Sequence, residues 1–178
     1  MMAALIIACE IGFWLFVAAG LFCRYILKAR RLGACLLFCT VAVDLALLIF
    51  TAVDLRNGAT ASFFHGLAAV YIGVSIAFGH RMIRWADERF AYYFAHGPSP
   101  TVKPKFGTAH ARYERRMWYL HLLGWLIGSA ILFGMIQIVG DESRTTELWL
   151  TIVRWSIVLA IDFIWSFSYT LWPRKAQT

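Results

Sequence analysis

The chain has 178 residues, 61% of them hydrophobic, 16% aromatic and 15% charged, with a mean hydropathy of +0.66 and a formal net charge of +7. Soluble domains carry about 45–50% apolar and about 25% charged residues, so this composition excludes an ordinary globular domain, a disordered chain and a disulfide-stapled miniprotein. The apolar residues come in long blocks, and the basic ones must be read first as topology signals rather than as a nucleic-acid surface.

A membrane-crossing helix needs about 20 mostly apolar residues. Five windows meet this length: 2–27, 33–54, 61–80, 117–139 and 148–172. The sequence therefore predicts an all-α membrane protein, a bundle of five transmembrane helices forming one domain over 1–178. The first window lacks a basic leading segment, carries Glu10 in what would be a signal peptide's apolar core, and is too long for one. Cleavage there is not expected.

Arg24, Lys28, Arg30 and Arg31 flank the first break. Arg81, Arg84, Arg89, Lys103, Lys105, Arg112, Arg115 and Arg116 fill the segment 81–116, and Arg174 with Lys175 follows the last window. These fourteen basic residues fall on one side, against Arg56 and Arg144 on the other. Such a bias predicts the N-terminus outside and the C-terminus in the cytoplasm. The loop 81–116 should begin as a helix to about Phe94, break at His96-Gly97-Pro98-Ser99-Pro100, run extended through Lys103-Pro104-Lys105-Phe106-Gly107 and resume as helix at Arg112–Arg116. Its charge fits anionic lipid at the cytoplasmic face, or a docking partner.

Small residues mark two helix faces. Gly124 and Gly128 make a G-x-x-x-G, and Ala69, Gly73 and Ala77 repeat at four-residue spacing. Such stripes let backbones approach closely, and packing inside one chain is favoured here over dimerisation. Cys9, Cys23, Cys35 and Cys39 read as small apolar packing residues. A b-type haem would take histidines from two helices. Only His80 and His121 share a leaflet, and histidines at span ends are commonly structural, so no cofactor and no metal are expected.

Ionisable residues inside the windows carry the functional signal, since a charge at the bilayer centre costs on the order of 2.5–3.5 kcal/mol. Glu10 should lie roughly 12 Å from the outer surface and Arg154 roughly 10 Å, depths that allow an ion pair. Asp44 falls near the midplane on one face with Thr40, Leu47 and Thr51, while His65 and Gln137 are shallower on the outer side. Asp162, further inward, shares a face with Thr151, Ser166 and Tyr169. Glu10, Asp44, His65, Gln137, Arg154 and Asp162 thus outline an intramembrane polar site. The functional reading is a transporter or channel for a proton, a cation or a small polar solute through the bundle interior. The alternative is a non-catalytic scaffold or accessory subunit of a larger membrane complex, or a homo-oligomer. No H-E-x-x-H, G-x-S-x-G or glycine-rich phosphate loop is present, so no enzymatic activity is expected.

The run Ala59-Thr60-Ala61-Ser62-Phe63-Phe64-His65-Gly66-Leu67-Ala68-Ala69-Val70-Tyr71 is followed by Ala77-Phe78-Gly79-His80 and Arg84-Trp85-Ala86-Asp87. Together with the terminal Ser168-Tyr169-Thr170-Leu171-Trp172-Pro173, it resembles an uncharacterised family of small bacterial integral-membrane proteins. The resemblance covers nearly the whole chain. It implies a bacterial cytoplasmic membrane and supplies no activity, ligand or catalytic residue.

Overall fold

The computed structural model describes residues 2–27, 29–94, 96–172 and 174. Five helices follow one another: α1 (Met2–Tyr25), α2 (Arg30–Arg56), α3 (Phe63–Phe94), α4 (Gly107–Val139) and α5 (Glu142–Leu171). Among the described residues there is no strand. Long apolar stretches without proline favour this outcome, because in lipid a helix satisfies its own backbone donors and acceptors. Three helices, α3, α4 and α5, are long and apolar enough to cross a membrane, and the apolar described stretch of α1, Ile11–Tyr25, is shorter. The expected all-helical membrane architecture is therefore what the chain adopts.

Local hydrogen bonds place two helix starts outside the apolar windows. Asp141 accepts the Ser143 N–H at 3.0 Å and its hydroxyl at 2.6 Å, so α5 starts at Glu142, not at 148. The Ser143 hydroxyl, with the amides beside it, holds the Asp141 carboxyl below its ordinary range. One residue earlier Gly140 takes a left-handed φ of 65°, and its N–H donates to the Ile136 carbonyl at 3.0 Å. This short connection folds α4 and α5 into an antiparallel hairpin. At the other end, α3 runs on to Phe94 as expected, but α4 starts at Gly107, five residues before Arg112. The Gly107 N–H donates to the Arg174 carbonyl at 2.8 Å, and His110 Nδ1 lies 3.0 Å from the Pro104 carbonyl oxygen. Those contacts extend the helix into the loop.

α1 packs on α2, α3 on α4, and α4 on α5, with α3 touching every other helix. The small-residue stripes meet. A Cβ added at Gly73 would stand 2.3 Å from the Gly124 carbonyl oxygen and 3.0 Å from the Gly128 nitrogen. One added at Gly128 would stand 3.0 Å from the Ala69 carbonyl oxygen. The two stripes thus seat α3 against α4, with the Trp155 ring of α5 closing over both glycines. The buried core lies toward the α4–α5 turn, built from Leu55, Ala61, Ala69, Leu132, Met135 and Leu148. Facing outward along α5, Trp149, Ile157, Val158, Ile161, Ile164 and Trp165 are all more than half exposed. A face like that suits hydrocarbon as its solvent.

Candidate functional site

Of the six side chains expected to outline one polar site, the four described ones, His65, Gln137, Arg154 and Asp162, lie in separate surroundings. Those of Glu10 and Asp44 lie outside the described residues. Gln137, near the end of α4, is exposed, and no hydrogen bond joins it to His65 among the described residues. Arg154 pairs with Glu147 at 3.3 Å, two turns earlier on the same helix. Side chains on a helix lean toward its N-terminus, so Arg154 reaches along α5 toward the helix end rather than across the bundle. Among the described residues α1 and α5 do not pack on each other, and the expected Glu10–Arg154 pair involves a Glu10 side chain that lies outside the described residues.

His65 is buried at the start of α3 in a local network. The Ser62 backbone N–H donates to Nδ1 at 3.0 Å and the Ser62 hydroxyl lies 2.8 Å from the same nitrogen. A ring nitrogen that accepts a backbone N–H holds no proton of its own, which puts the ring hydrogen on Nε2, 3.3 Å from Asp54 Oδ2. His65 takes the part that Glu plays in a capping box, reaching back from the third helical position to the residue before the helix. Beside it Arg144 donates to the carbonyl oxygens of Leu55 and Ala59, the latter from Nε at 3.3 Å and Nη2 at 3.1 Å. This is a structural end cluster tying α2, α3 and α5 together.

Asp162 has a different setting. Its Oδ2 lies 2.6 Å from His121 Nδ1, and its Oδ1 accepts from the Ser166 hydroxyl at 3.4 Å. The His121 ring sits 4.9 Å from that of Phe78 on α3. Toward the α4–α5 turn, Gly66 meets Thr151 and Gly73 meets Trp155, so α3 and α5 close over α4 there. At the level of His121 the seam is more open, with 47% of that side chain and 28% of Asp162 accessible. The couple thus joins two apolar helices and is reachable from outside. Sequence reading treated His121 only as a haem candidate. Counting back from the α4–α5 turn would have placed it opposite Asp162, because the two lie nearly equal distances along an antiparallel hairpin. His80 is exposed on α3. Among the described residues no group of three or more His, Cys, Asp or Glu side chains could hold a metal ion.

The uncharacterised membrane protein YmcC of Bacillus subtilis (strain 168) is 44% identical to this chain over 175 residues, covering 98% of the chain and 94% of its own length. The chain belongs to the same family of bacterial membrane proteins. No known protein-family profile matches it, and no solved structure does.

Within this membrane protein the basic end is held by paired charges. Arg24 on α1 meets Asp87 on α3 at 3.3 Å, and Arg84 meets Glu88 at 3.2 Å. Glu88 also accepts the Thr101 N–H at 3.1 Å, pinning the loop against α3. That amide, with Arg84 beside it, holds the Glu88 carboxyl below its ordinary range. A depressed carboxyl contributes above its unfolded pKa, and the contribution is lost as pH falls through the lower folded value. The Thr101 amide resonance should therefore move upon acidification below the ordinary carboxylate range, and Glu88→Ala should abolish that movement. A Thr101 titration unchanged in Glu88→Ala would remove Glu88 as its cause.

Proposed function

We propose that this protein carries protons across the bacterial inner membrane, alone or coupled to a cation or small polar solute, with His121 and Asp162 as the proton-handling couple. The observation that carries the reading is their 2.6 Å contact between two apolar helices, partly open to the surroundings. An imidazole and a carboxylate at hydrogen-bond distance hold a proton that either can pass on, and ionisable residues inside membrane helices commonly mark such relays. Ser166 and Phe78 orient the pair from either side. The protein is read as a non-enzymatic, multi-pass one in which α1 and α2 span the membrane with α3, α4 and α5, N-terminus outside and C-terminus in the cytoplasm. The fourteen-to-two division of basic residues supports that orientation.

Proteoliposomes loaded with a pH-sensitive dye test the relay. Wild type should dissipate an imposed pH gradient. Asp162→Asn and His121→Phe should slow it on the order of 10²-fold, the usual contribution of a positioned proton-transfer group. Full flux in both variants would remove the couple from the pathway. The second reading, an accessory subunit or a homo-oligomer, is favoured by one feature. Arg154 and Glu147 pair on the exposed flank of α5, where a second membrane protein could cover them. Its mark would be a flux-inactive wild type that co-purifies with one partner, or with itself, through α5.

A further inference from the structure

We propose that Arg81, Lys103 and Tyr113 form a binding site for the phosphate of an anionic phospholipid. The inference is independent of the proton reading and needs only that the chain sits in a membrane. Arg81 Cζ lies 5.5 Å from the centre of the Tyr113 ring, and Lys103 Nζ lies 5.7 Å from the same centre. Two cations gathered at one ring repel each other unless an anion joins them.

The acids at this end are already engaged. Asp87 pairs with Arg24, Glu88 with Arg84 and the Thr101 amide, and Glu114 lies 3.7 Å from His110 Nδ1. Among the described residues neither Arg81 nor Lys103 has a carboxylate partner. Donors are nevertheless in place. Arg81 Nη2 donates to the Tyr113 hydroxyl oxygen at 3.5 Å, which leaves the hydroxyl hydrogen for an outside acceptor. Arg81 offers a planar fork and Lys103 a point charge, a combination suited to phosphate oxygens. The Glu88–Thr101 contact fixes the loop two residues before Lys103, whose ammonium lies over the Tyr113 ring of α4.

Position selects a lipid over a soluble anion. Arg81 directly follows the apolar window 61–80, at the level where hydrocarbon gives way to headgroups. Exposed apolar side chains flank both cations: Met82 and Trp85 beside Arg81, and Val102 beside Lys103. A glycerophospholipid would cover them, whereas free phosphate would not.

The test is native mass spectrometry of the purified protein in uncharged detergent. Phosphatidylglycerol and phosphatidylcholine of matched acyl chains are offered in equal amounts, with inorganic phosphate as a separate competitor. Wild type should retain phosphatidylglycerol over phosphatidylcholine by roughly tenfold or more, as expected for two basic groups at a membrane surface. The preference should vanish in R81Q/K103Q, fall several-fold in Lys103→Gln, whose loop position is exposed, and persist in Arg84→Gln. An undiminished preference in Lys103→Gln would overturn the site. Displacement of the lipid by inorganic phosphate would overturn the lipid as its ligand.

Discussion

Gly73→Val is expected to destabilise this protein strongly. The new Cβ would stand 2.3 Å from the Gly124 carbonyl oxygen and 3.0 Å from the Gly128 nitrogen, with the Trp155 ring 3.1 Å away. Two of those neighbours are helix backbone and cannot rotate aside, so α3 and α4 must separate. Overpacking a close contact costs about 1–3 kcal/mol, and more when backbone is the obstacle. About 3 kcal/mol is therefore expected, read from thermal unfolding in detergent. Gly124→Ala should cost less, since its Cβ would meet Gly73 oxygen at 3.3 Å and the Ala77 methyl at 3.5 Å. Gly134→Ala, with nothing within 4 Å, should be neutral or slightly stabilising, because alanine is the better helix former. Equal stability of Gly73→Val and Gly134→Ala would show that the glycine seam does not hold α3 to α4.

Much of this fold was legible because the bilayer leaves few backbone solutions. Apolar blocks without proline become helices, and the small-residue stripes on α3 and α4 had to be close-packing faces. What the stripes could not say was whom they meet. That follows from the two-residue break at Gly140 and Asp141, which makes α4 and α5 neighbours, and from Trp155 lying over the α3–α4 seam. A second close approach, Gly20 against Gly33 between α1 and α2, went unread because the two glycines sit on different helices without a four-residue repeat. Helix ends were misplaced where local hydrogen bonds outranked hydropathy: the Asp141 cap at Glu142, and the Arg174 and Pro104 carbonyl contacts at Gly107.

The polar site was legible in part only. Burial depth picked out His65, Arg154 and Asp162, yet depth is one coordinate of three. For Arg154, matched depth with Glu10 said nothing of rotation about the helix axis. Its guanidinium follows α5 to Glu147. Asp162 meets His121, a residue visible in the sequence under another chemistry. Arg144 was read only as a topology charge, because a side chain that binds backbone carbonyls leaves no motif.

Arg144→Met should loosen the whole α2–α3–α5 end, by about 2–3 kcal/mol, the range for hydrogen bonds made by a charged group. The reason lies in where its donors go. The Leu55 carbonyl is among the last of α2, accepts besides Arg144 only a long bond from the Gly58 N–H at 3.3 Å, and sits at the negative end of the α2 dipole. Ala59 lies in the turn that follows, and the same guanidinium spans both. Meanwhile the Arg144 carbonyl accepts the Ala61 N–H at 2.8 Å, so the turn is held from two sides by one residue. Methionine keeps the apolar stem and removes only the donors. Lysine should recover part of the loss, since one ammonium cannot match a fork that reaches two carbonyls. Arg56→Met, an exposed neighbour at the end of α2, should stay within about 0.5 kcal/mol of wild type. Unfolding in graded denaturing detergent ranks the three. If Arg144→Met matches Arg56→Met, the carbonyl clamp is not what fixes this end, and the His65–Asp54 contact with the Ala61–Arg144 backbone bond holds the turn instead.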